Sequence, residues 1–332
     1  MRRVIHLHWS QTSLVAVLIG LATIFLIHLS CAHAEVFPSR EIELLTWSPA
    51  GGATDIWARV IGAKASEYLK VPITVINKPG GGGAIATGAV ANAEPNGYTI
   101  LTAGGSNLGT LLATKINLTY SLKDFSAIAR TVRLPLVIVA KKGRFNDFGG
   151  FIKEAKEKPN TLSFASWGTN SSSHLIGELI ALVSGIKIKH VPFQGGTKGM
   201  VAVLGGHTDI VVGTLSTSLP NIKAGNLTCL AVSGRARSKD VPDAPTLAEL
   251  GFADATYEAY DGLVTGSKVP KERITILQNA VEKSLKDPEV QKALEKVGLE
   301  PMFMSGSDYD ALIVKELERL TKVVRDAGIT KE

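Results

Sequence analysis

Cysteine is almost missing from this 332-residue chain, where Cys31 and Cys229 are the only two. A scaffold stapled by disulfides is therefore excluded. Histidine is nearly as sparse: beyond the first 34 residues only His174, His190 and His207 remain, with no H-x-H or H-E-x-x-H spacing among them, so no zinc site is legible. Aromatic residues make up 6% of the chain, and its net charge of +6 is too weak for a nucleic-acid footprint. No Walker A sequence occurs. Gly104-Gly105-Ser106-Asn107-Leu108 carries leucine where the nucleophile elbow of a hydrolase needs its closing glycine. These absences predict neither metal nor cofactor. What is abundant is small and apolar, with 33 glycines and 45% hydrophobic residues. That balance suits an α/β protein rich in short strand-to-helix turns, and the length allows two domains of roughly 150 residues.

The N-terminus has a character of its own. Arg2 and Arg3 precede an almost continuous apolar run over residues 14–29, and Ala32-His33-Ala34 matches an A-x-A cleavage site. Residues 1–34 thus read as a secretory signal peptide, cleaved after Ala34. The apolar run is long for such a leader, so an uncleaved anchor is the alternative. Lipid attachment at Cys31 fits poorly, because His28 stands where an apolar residue is needed. Cleavage removes two positive charges and one cysteine, leaving Cys229 as an isolated thiol in the apolar run 227–232. It reads as an inert strand residue rather than a nucleophile.

Past the leader the pattern alternates between strand and helix. Residues 41–47 read as a strand, 48–52 as a Gly-rich turn and 55–69 as a helix; 73–77 is a second strand, followed by Gly80 to Gly83, a small-residue helix to Ala93 and a strand over 98–103. A second series follows Arg133, with strands over 136–140, 161–165, 186–191, 209–213 and 227–232, and helical segments between them. Residues 235–250 look like a surface excursion. The tail is helical: Pro270 opens one helix, Asp287-Pro288 supplies an N-cap and an N1 proline for the next, and Ser307 caps a long one ending at Gly328. Such alternation implies parallel strands joined by right-handed crossovers.

Four stretches carry a more specific signal: Pro49-Ala50-Gly51-Gly52-Ala53-Thr54-Asp55 with Ala58-Arg59; Asn77-Lys78-Pro79-Gly80 through Gly83 with Pro95-Asn96-Gly97-Tyr98-Thr99; His190-Val191-Pro192-Phe193-Gln194-Gly195 with Gly206-His207-Thr208-Asp209; and Asp287-Pro288-Glu289-Val290. In this order and spacing the chain resembles the periplasmic solute-binding proteins of tripartite tricarboxylate transporters, also called the Bug family, over residues 36–328. The resemblance implies a two-lobed Venus-flytrap architecture, each lobe a mixed, mostly parallel sheet flanked by helices. Lobe 1 would comprise residues 35–133 plus 258–332 and lobe 2 residues 134–257, with crossings near 133–135 and 257–262. It further implies a monomeric periplasmic protein that is not an enzyme. Such a protein captures a small carboxylate and delivers it to the membrane permease subunits of the transporter. Family cargoes include di- and tricarboxylates, acidic amino acids and aromatic carboxylates.

By the same resemblance, loops 48–55 and 102–107 of the first lobe would grip a carboxylate and loops 166–172 and 214–218 of the second would close over it. The site residues expected are Ser48, Ala50, Gly52, Asp55, Thr102, Ser106, Asn107, Trp167, Gly168, Thr169, Asn170, Ser171, Thr214 and Ser216. The residues support an anion site independently. Loops 102–107 and 166–172 hold Ser, Thr, Asn, Gly and Trp but no Lys or Arg, so hydroxyls, amides and helix N-termini would be the donors. Each element also has a structural reading. Asp55 can simply cap its helix and pair with Arg59; the glycine run fits a tight turn better than a dinucleotide fingerprint; His190 reads as a hydrogen-bonded packing residue. Gly196-Thr197-Lys198-Gly199 and Ala50 depart from the family pattern, and Trp167 tilts the expected cargo toward an aromatic carboxylate. Two other functions compete: an exported α/β enzyme using Ser106 or Ser171 with His174 or His190, and a periplasmic sensor feeding a signalling receptor.

Overall fold

The computed structural model of the chain describes residues 36–115 and 117–326. The expected signal peptide and the expected helix end at Gly328 lie outside the described residues. Everything below belongs to the unit that begins at Arg40.

Three parallel strands form the first framework: β1 (Ile42–Thr46) lies between β2 (Ile73–Asn77) and β3 (Thr99–Gly104). Helix α1 (Ala53–Leu69) links β1 to β2, and α2 (Ala84–Ala91) follows β2. The fully buried indole of Trp57 and the buried Ala58, Ile61 and Ala65 hold α1 in place; each large apolar side chain so buried contributes about 1.5–3 kcal/mol. Lys70 ends α1 in the left-handed region, its amide donating to the Ser66 carbonyl. After β3 come a π-helical turn (Gly105–Thr110) and the short α3 (Leu111–Thr114).

Three further strands complete this sheet in antiparallel fashion. β4 (Phe125–Leu134), β10 (Ala259–Gly266) and β11 (Glu300–Ser305) give the order β11-β4-β10-β3-β1-β2. The second sheet has the order β7-β6-β8-β5-β9, built from β5 (Leu136–Lys141), β6 (Ser163–Ser166), β7 (Lys189–Pro192), β8 (Ile210–Thr214) and β9 (Leu227–Val232). Here β6 pairs parallel with both neighbours and β5 antiparallel with both of its own. Helices α4 (Phe148–Glu157), α5 (Ser172–Ser184), α6 (Gly196–Gly205) and α7 (Leu215–Lys223) belong to this half. The tail helices α8 (Lys271–Lys286), α9 (Pro288–Lys296) and α10 (Gly306–Asp326) return to the first sheet. Each half has its own core, one around Leu45, Leu101, Phe125, Val264 and Tyr309, the other around Val137, Met200, Val211, Leu219 and Val232.

The sheets are mixed, as expected, but antiparallel pairings are more numerous than strand-helix alternation predicts. β4, β10 and β11 in the first sheet and β5 in the second are the reason. β4 is buried on both faces yet carries Arg130 and Arg133, which mask its strand pattern. The Arg133 guanidinium is held by Glu258 at 3.0 Å and by Glu300, and Arg130 lies over the Tyr260 ring. β11 begins Glu300-Pro301, a composition tolerated on an edge strand. In the tail, Asp287 caps α9 by accepting from the Glu289 amide at 2.8 Å, with Pro288 at N1. For α10 the capping hydroxyl is Ser305, which accepts from the Asp308 amide at 3.3 Å, rather than Ser307.

The chain leaves the first sheet at Leu134, turns through Pro135 and enters the second at Leu136; it returns between Val232 and Ala259. These passages run side by side. Ala259 pairs with Leu134, the Ser233 amide donates to the Leu136 carbonyl at 2.9 Å, and the Ser233 hydroxyl donates to the Tyr257 carbonyl at 2.8 Å.

Candidate functional site

Two adjoining cavities open where loops of the two sheets meet. The inner one, about 40 Å³, is lined by Ser48, Gly52, Thr54, Ser106, Trp167 and Thr214, together with Trp47, Ser172, Gly195, Thr217, Tyr260 and Asp261. The outer one, about 390 Å³, shares Trp47, Pro49, Trp167 and Gly195 and adds Gly80 to Gly83, Lys115, Gly168, Thr169 and Asn170. Since a single water needs ~10–15 Å³ by such a measure, the inner space matches a small group such as a carboxylate, and the outer one can hold the body that carries it.

Helix N-termini dominate the inner wall. Gly52 precedes α1 without any side-chain cap, and the amides of Ala53 and Thr54 have no partner among the described residues. Ser172 opens α5, Gly195 and Gly196 open α6, and Thr214 precedes α7. Each terminus presents unpaired N–H groups and roughly half a positive charge. Glycine at position 52 is dictated by contact: a Cβ there would stand 2.1 Å from the Ser48 hydroxyl. Among the lining residues of the inner cavity there is no lysine or arginine. The positive potential there comes from backbone.

The two halves meet at Ser106, whose hydroxyl accepts from the Trp167 indole N–H and from the Ser172 amide, both at 3.5 Å. Bonds of that length are weak, so both donors can serve another oxygen. The buried Trp47 indole N–H and Tyr260 hydroxyl have no hydrogen-bond partner among the described residues. On the far wall the Thr214 hydroxyl meets Thr217 at 3.0 Å and accepts from Ser216 at 3.1 Å.

Of the expected site residues, Ser48, Gly52, Ser106, Trp167 and Thr214 converge on the inner cavity, and Gly168, Thr169 and Asn170 join Trp167 on the outer one. The others stand behind them and line neither. Ala50 is exposed on its turn. Asp55 has both oxygens engaged: one accepts from the Gly51 amide at 2.9 Å, the other from Asn77 at 2.8 Å and Arg59 at 3.0 Å. Burial pushes its carboxyl up, but Arg59, Gly51 and Asn77 outweigh that and hold it below the ordinary value. Thr102 donates to Thr46 at 3.2 Å. The fully buried Asn107 accepts from the Gly104 amide at 3.0 Å and donates to Thr87 at 3.0 Å and to the Thr102 carbonyl at 3.3 Å. Ser171 caps α5 by accepting from the His174 amide at 3.2 Å, and Ser216 serves Thr214. These groups shape the loops.

Behind the 166–172 loop lie two stacked imidazoles, His174 and His190, with ring centroids 3.9 Å apart. His190 Nε2 meets the Ser166 hydroxyl at 2.6 Å, and His174 Nδ1 accepts from the Asn170 amide at 3.2 Å. Burial, then the neighbouring His174, lower His190 to about 4. His190 is the hydrogen-bonded packing residue its sequence position suggested. Cys229, raised by burial to about 12, is equally unreactive. The glycine run 80–83 adopts positive φ throughout and brings Gly82 against the Thr169 carbonyl, the tight turn expected of it.

Sequence reasoning missed the N-terminus of α6, Trp47, which faces the cavities alongside the expected Trp167, and above all β10. Tyr260 and Asp261 line the inner cavity from a strand whose position in the sheet depends on pairing with residues more than 120 positions away. No local motif marks them.

A family model described as the tripartite tricarboxylate transporter family receptor matches residues 57–329. The chain is 29% identical to Protein BugT of Bordetella pertussis over 298 residues, covering 89% of this chain and 91% of that protein. Among solved structures it is similar to a periplasmic transporter, at 32% identity and a TM-score of 0.86, covering 89% of this chain and 100% of the other. It is also similar to MatC from Rhodopseudomonas palustris with bound malate, at 26% identity and a TM-score of 0.82, covering 87% and 100%. An R. palustris protein with adipate matches at 26% identity and a TM-score of 0.84, covering 89% and 99%. The two mixed, helix-flanked sheets are those of two-lobed periplasmic binding proteins. The chain thus belongs to the tripartite tricarboxylate transporter receptor family, the periplasmic solute-binding proteins of TctC or Bug type.

Proposed function

We propose that this protein captures a small carboxylate between two lobes, residues 35–133 with 258–332 and residues 134–257, and surrenders it to the permease subunits of a tripartite transporter. It acts as a periplasmic monomer, exported by a signal peptide cleaved after Ala34, and performs no chemistry on its cargo. The observation that carries this reading is the convergence of helix N-termini, those of α1, α6 and α7 without a side-chain cap, and of hydroxyls on a cavity without cationic side chains. Neutral donors hold an anion through short-range contacts, and they release it readily when the lobes part. The malate and adipate held by the two R. palustris proteins point to the same class of cargo. An enzyme built on Ser171 with His174 finds no support in the geometry, because that hydroxyl is engaged by the Gly168 carbonyl at 2.6 Å and the His174 amide.

The test is a thermal-shift screen of the protein, unfolded and refolded to strip retained cargo, against di- and tricarboxylates, acidic amino acids and aromatic carboxylates, with sugars as controls. At a hundredfold excess over Kd a ligand of the native state adds ~2.7 kcal/mol, a rise of several degrees in Tm. A shift confined to carboxylates is expected, accompanied by compaction in small-angle scattering. No shift with any acid would overturn the proposal.

A further inference from the structure

One buried acid faces the inner cavity with no cation to balance it. Asp261 is 3% exposed on β10, where it pairs with Gly104 of β3 and Val132 of β4. The ladder slips just beyond it: Gly262 pairs with Arg130, which leaves Thr131 as an extra residue on β4, and the Thr131 hydroxyl donates to the Asp261 carbonyl at 3.2 Å. Bulges of this kind re-aim a side chain. One carboxylate oxygen, Oδ2, accepts from the Thr54 hydroxyl at 2.8 Å and from the Trp57 indole at 3.3 Å. The other, Oδ1, lies over Gly104, where a Cβ would come within 2.3 Å of it, and has no hydrogen-bond partner among the described residues.

The surroundings offer no charge compensation. Tyr257, Tyr260 and Tyr309 are the other ionisable groups about it, each raised above its ordinary value chiefly by burial. Arg130 is engaged with the face of Tyr260 rather than with Asp261. Burial lifts the Asp261 carboxyl to about 7, against the lowering effect of Thr54 and Trp57. An acid in this position adds nothing to the attraction of an anion; it repels one. Yet it is bonded to Thr54 in the first turn of α1, an N-terminus without a side-chain cap, and both line a cavity of about 40 Å³. A bare carboxylate bound there would press its charge against Asp261. A ligand whose carboxylate sits on a carbon that also bears a hydroxyl or ammonium group removes the conflict, because the donor turns to Oδ1 while the carboxylate meets the helix amides.

Building on the carboxylate reading above, we infer that Asp261 is the specificity residue of the cleft: its free oxygen accepts a hydrogen bond from a hydroxyl or amino group on the carbon beside the ligand's carboxylate, and the protein therefore selects α-hydroxy or α-amino carboxylates over their unsubstituted analogues. A site with a buried acceptor rejects a ligand that leaves it unpaired, by far more than a missing methylene would.

The experiment is calorimetric titration at pH 8 with matched probes: succinate against malate and aspartate, glutarate against 2-hydroxyglutarate and glutamate, phenylacetate against mandelate. In at least one series the donor-bearing acid binds about tenfold or more tightly than its parent. Asp261→Asn, which keeps an acceptor for Thr54 and Trp57, brings parent and derivative within about threefold by admitting the parent. Asp261→Ser, a smaller uncharged replacement, serves the same purpose if the asparagine variant melts early. Carboxylate binding with no preference for the donor-bearing member, or a preference that survives both substitutions, overturns the assignment and leaves the carboxylate reading standing. Failure of every acid in the screen and in these titrations overturns both.

Discussion

The two walls of the cleft are built from different chemistry. On the first, the 48–55 loop is tied down by one carboxylate, Asp55, holding a backbone amide, an asparagine and an arginine, and the 102–107 loop by the fully buried Asn107. On the second, the 166–172 loop hangs on serine hydroxyls and on a pair of stacked imidazoles. The first loops are thus tied by a carboxylate held below its ordinary value by Arg59, Gly51 and Asn77 and by a neutral amide. The second rests on hydroxyls and on an imidazole pair in which burial and His174 lower His190 to about 4.

Asn107→Ala should break that contrast most severely. It leaves the buried Gly104 amide without its acceptor and takes a donor from the Thr102 carbonyl and from the Thr87 hydroxyl, which keeps its own bond to the Gly83 carbonyl, at a cost of about 3 kcal/mol. Differential scanning calorimetry should show Tm lower by roughly 6–12 °C; a change under 2 °C would mean that water replaces the side chain and that the first wall is softer than described.

Acid should separate the walls next. His190 titrates near 4 in the folded chain against an ordinary 6.5, so its neutral form stabilises the second wall above pH 6.5 and that contribution is lost as pH falls toward 4. Asp261 is shifted the other way, to about 7 from 3.8: its contribution is complete below 3.8 and lost as pH rises through 7. Between pH 6.5 and 4, hydrogen-exchange protection factors, corrected for the intrinsic rate at each pH, should therefore fall at residues 166–174 while rising at 54–57 and 259–262. Parallel changes in both segments would refute the division.

Ser171→Ala removes the cap of α5 and should cost about 1 kcal/mol, read as a Tm lower by roughly 2–4 °C with the first wall's exchange rates unchanged. Arg59→Ala should be the mildest. The Arg59 side chain is half exposed, and such ion pairs contribute at most about 0.5 kcal/mol; Asp55 keeps Gly51 and Asn77 as donors, so ligand affinity should stay within twofold.

Much of this arrangement was legible in the residues. Asn77 and Ile73 bound a strand the structure reproduces, and Asp287-Pro288 opens a helix; local chemistry wrote those features, so local reading found them. Ser48, Ser106, Trp167 and Thr214, expected from the family resemblance, do line the inner cavity. The long strand β4 escaped because its two arginines find partners on other segments, Glu258, Glu300 and the Tyr260 ring. Asp55 read equally well as cap or as ligand-contacting group, and only the geometry shows both its oxygens occupied. Asp261 escaped for the deeper reason that its burial is created by two neighbouring strands distant in sequence. A charged residue in an otherwise apolar segment looks like a surface position until the sheet is assembled.

The tryptophans extend the point to observation of the protein at work. Beyond residue 34 the chain has only Trp47, Trp57 and Trp167. Trp47 and Trp167 face the cavities from opposite walls, and Trp57 donates to the acid at the cavity's floor. Two of these three indoles line the cavities and the third is bonded to an acid that lines one of them, so the protein carries its own optical gauge. Intrinsic emission, with no label attached, should report arrival, closure and release in real time, and replacing each indole with phenylalanine would assign the signal to one wall, the other or the floor between them.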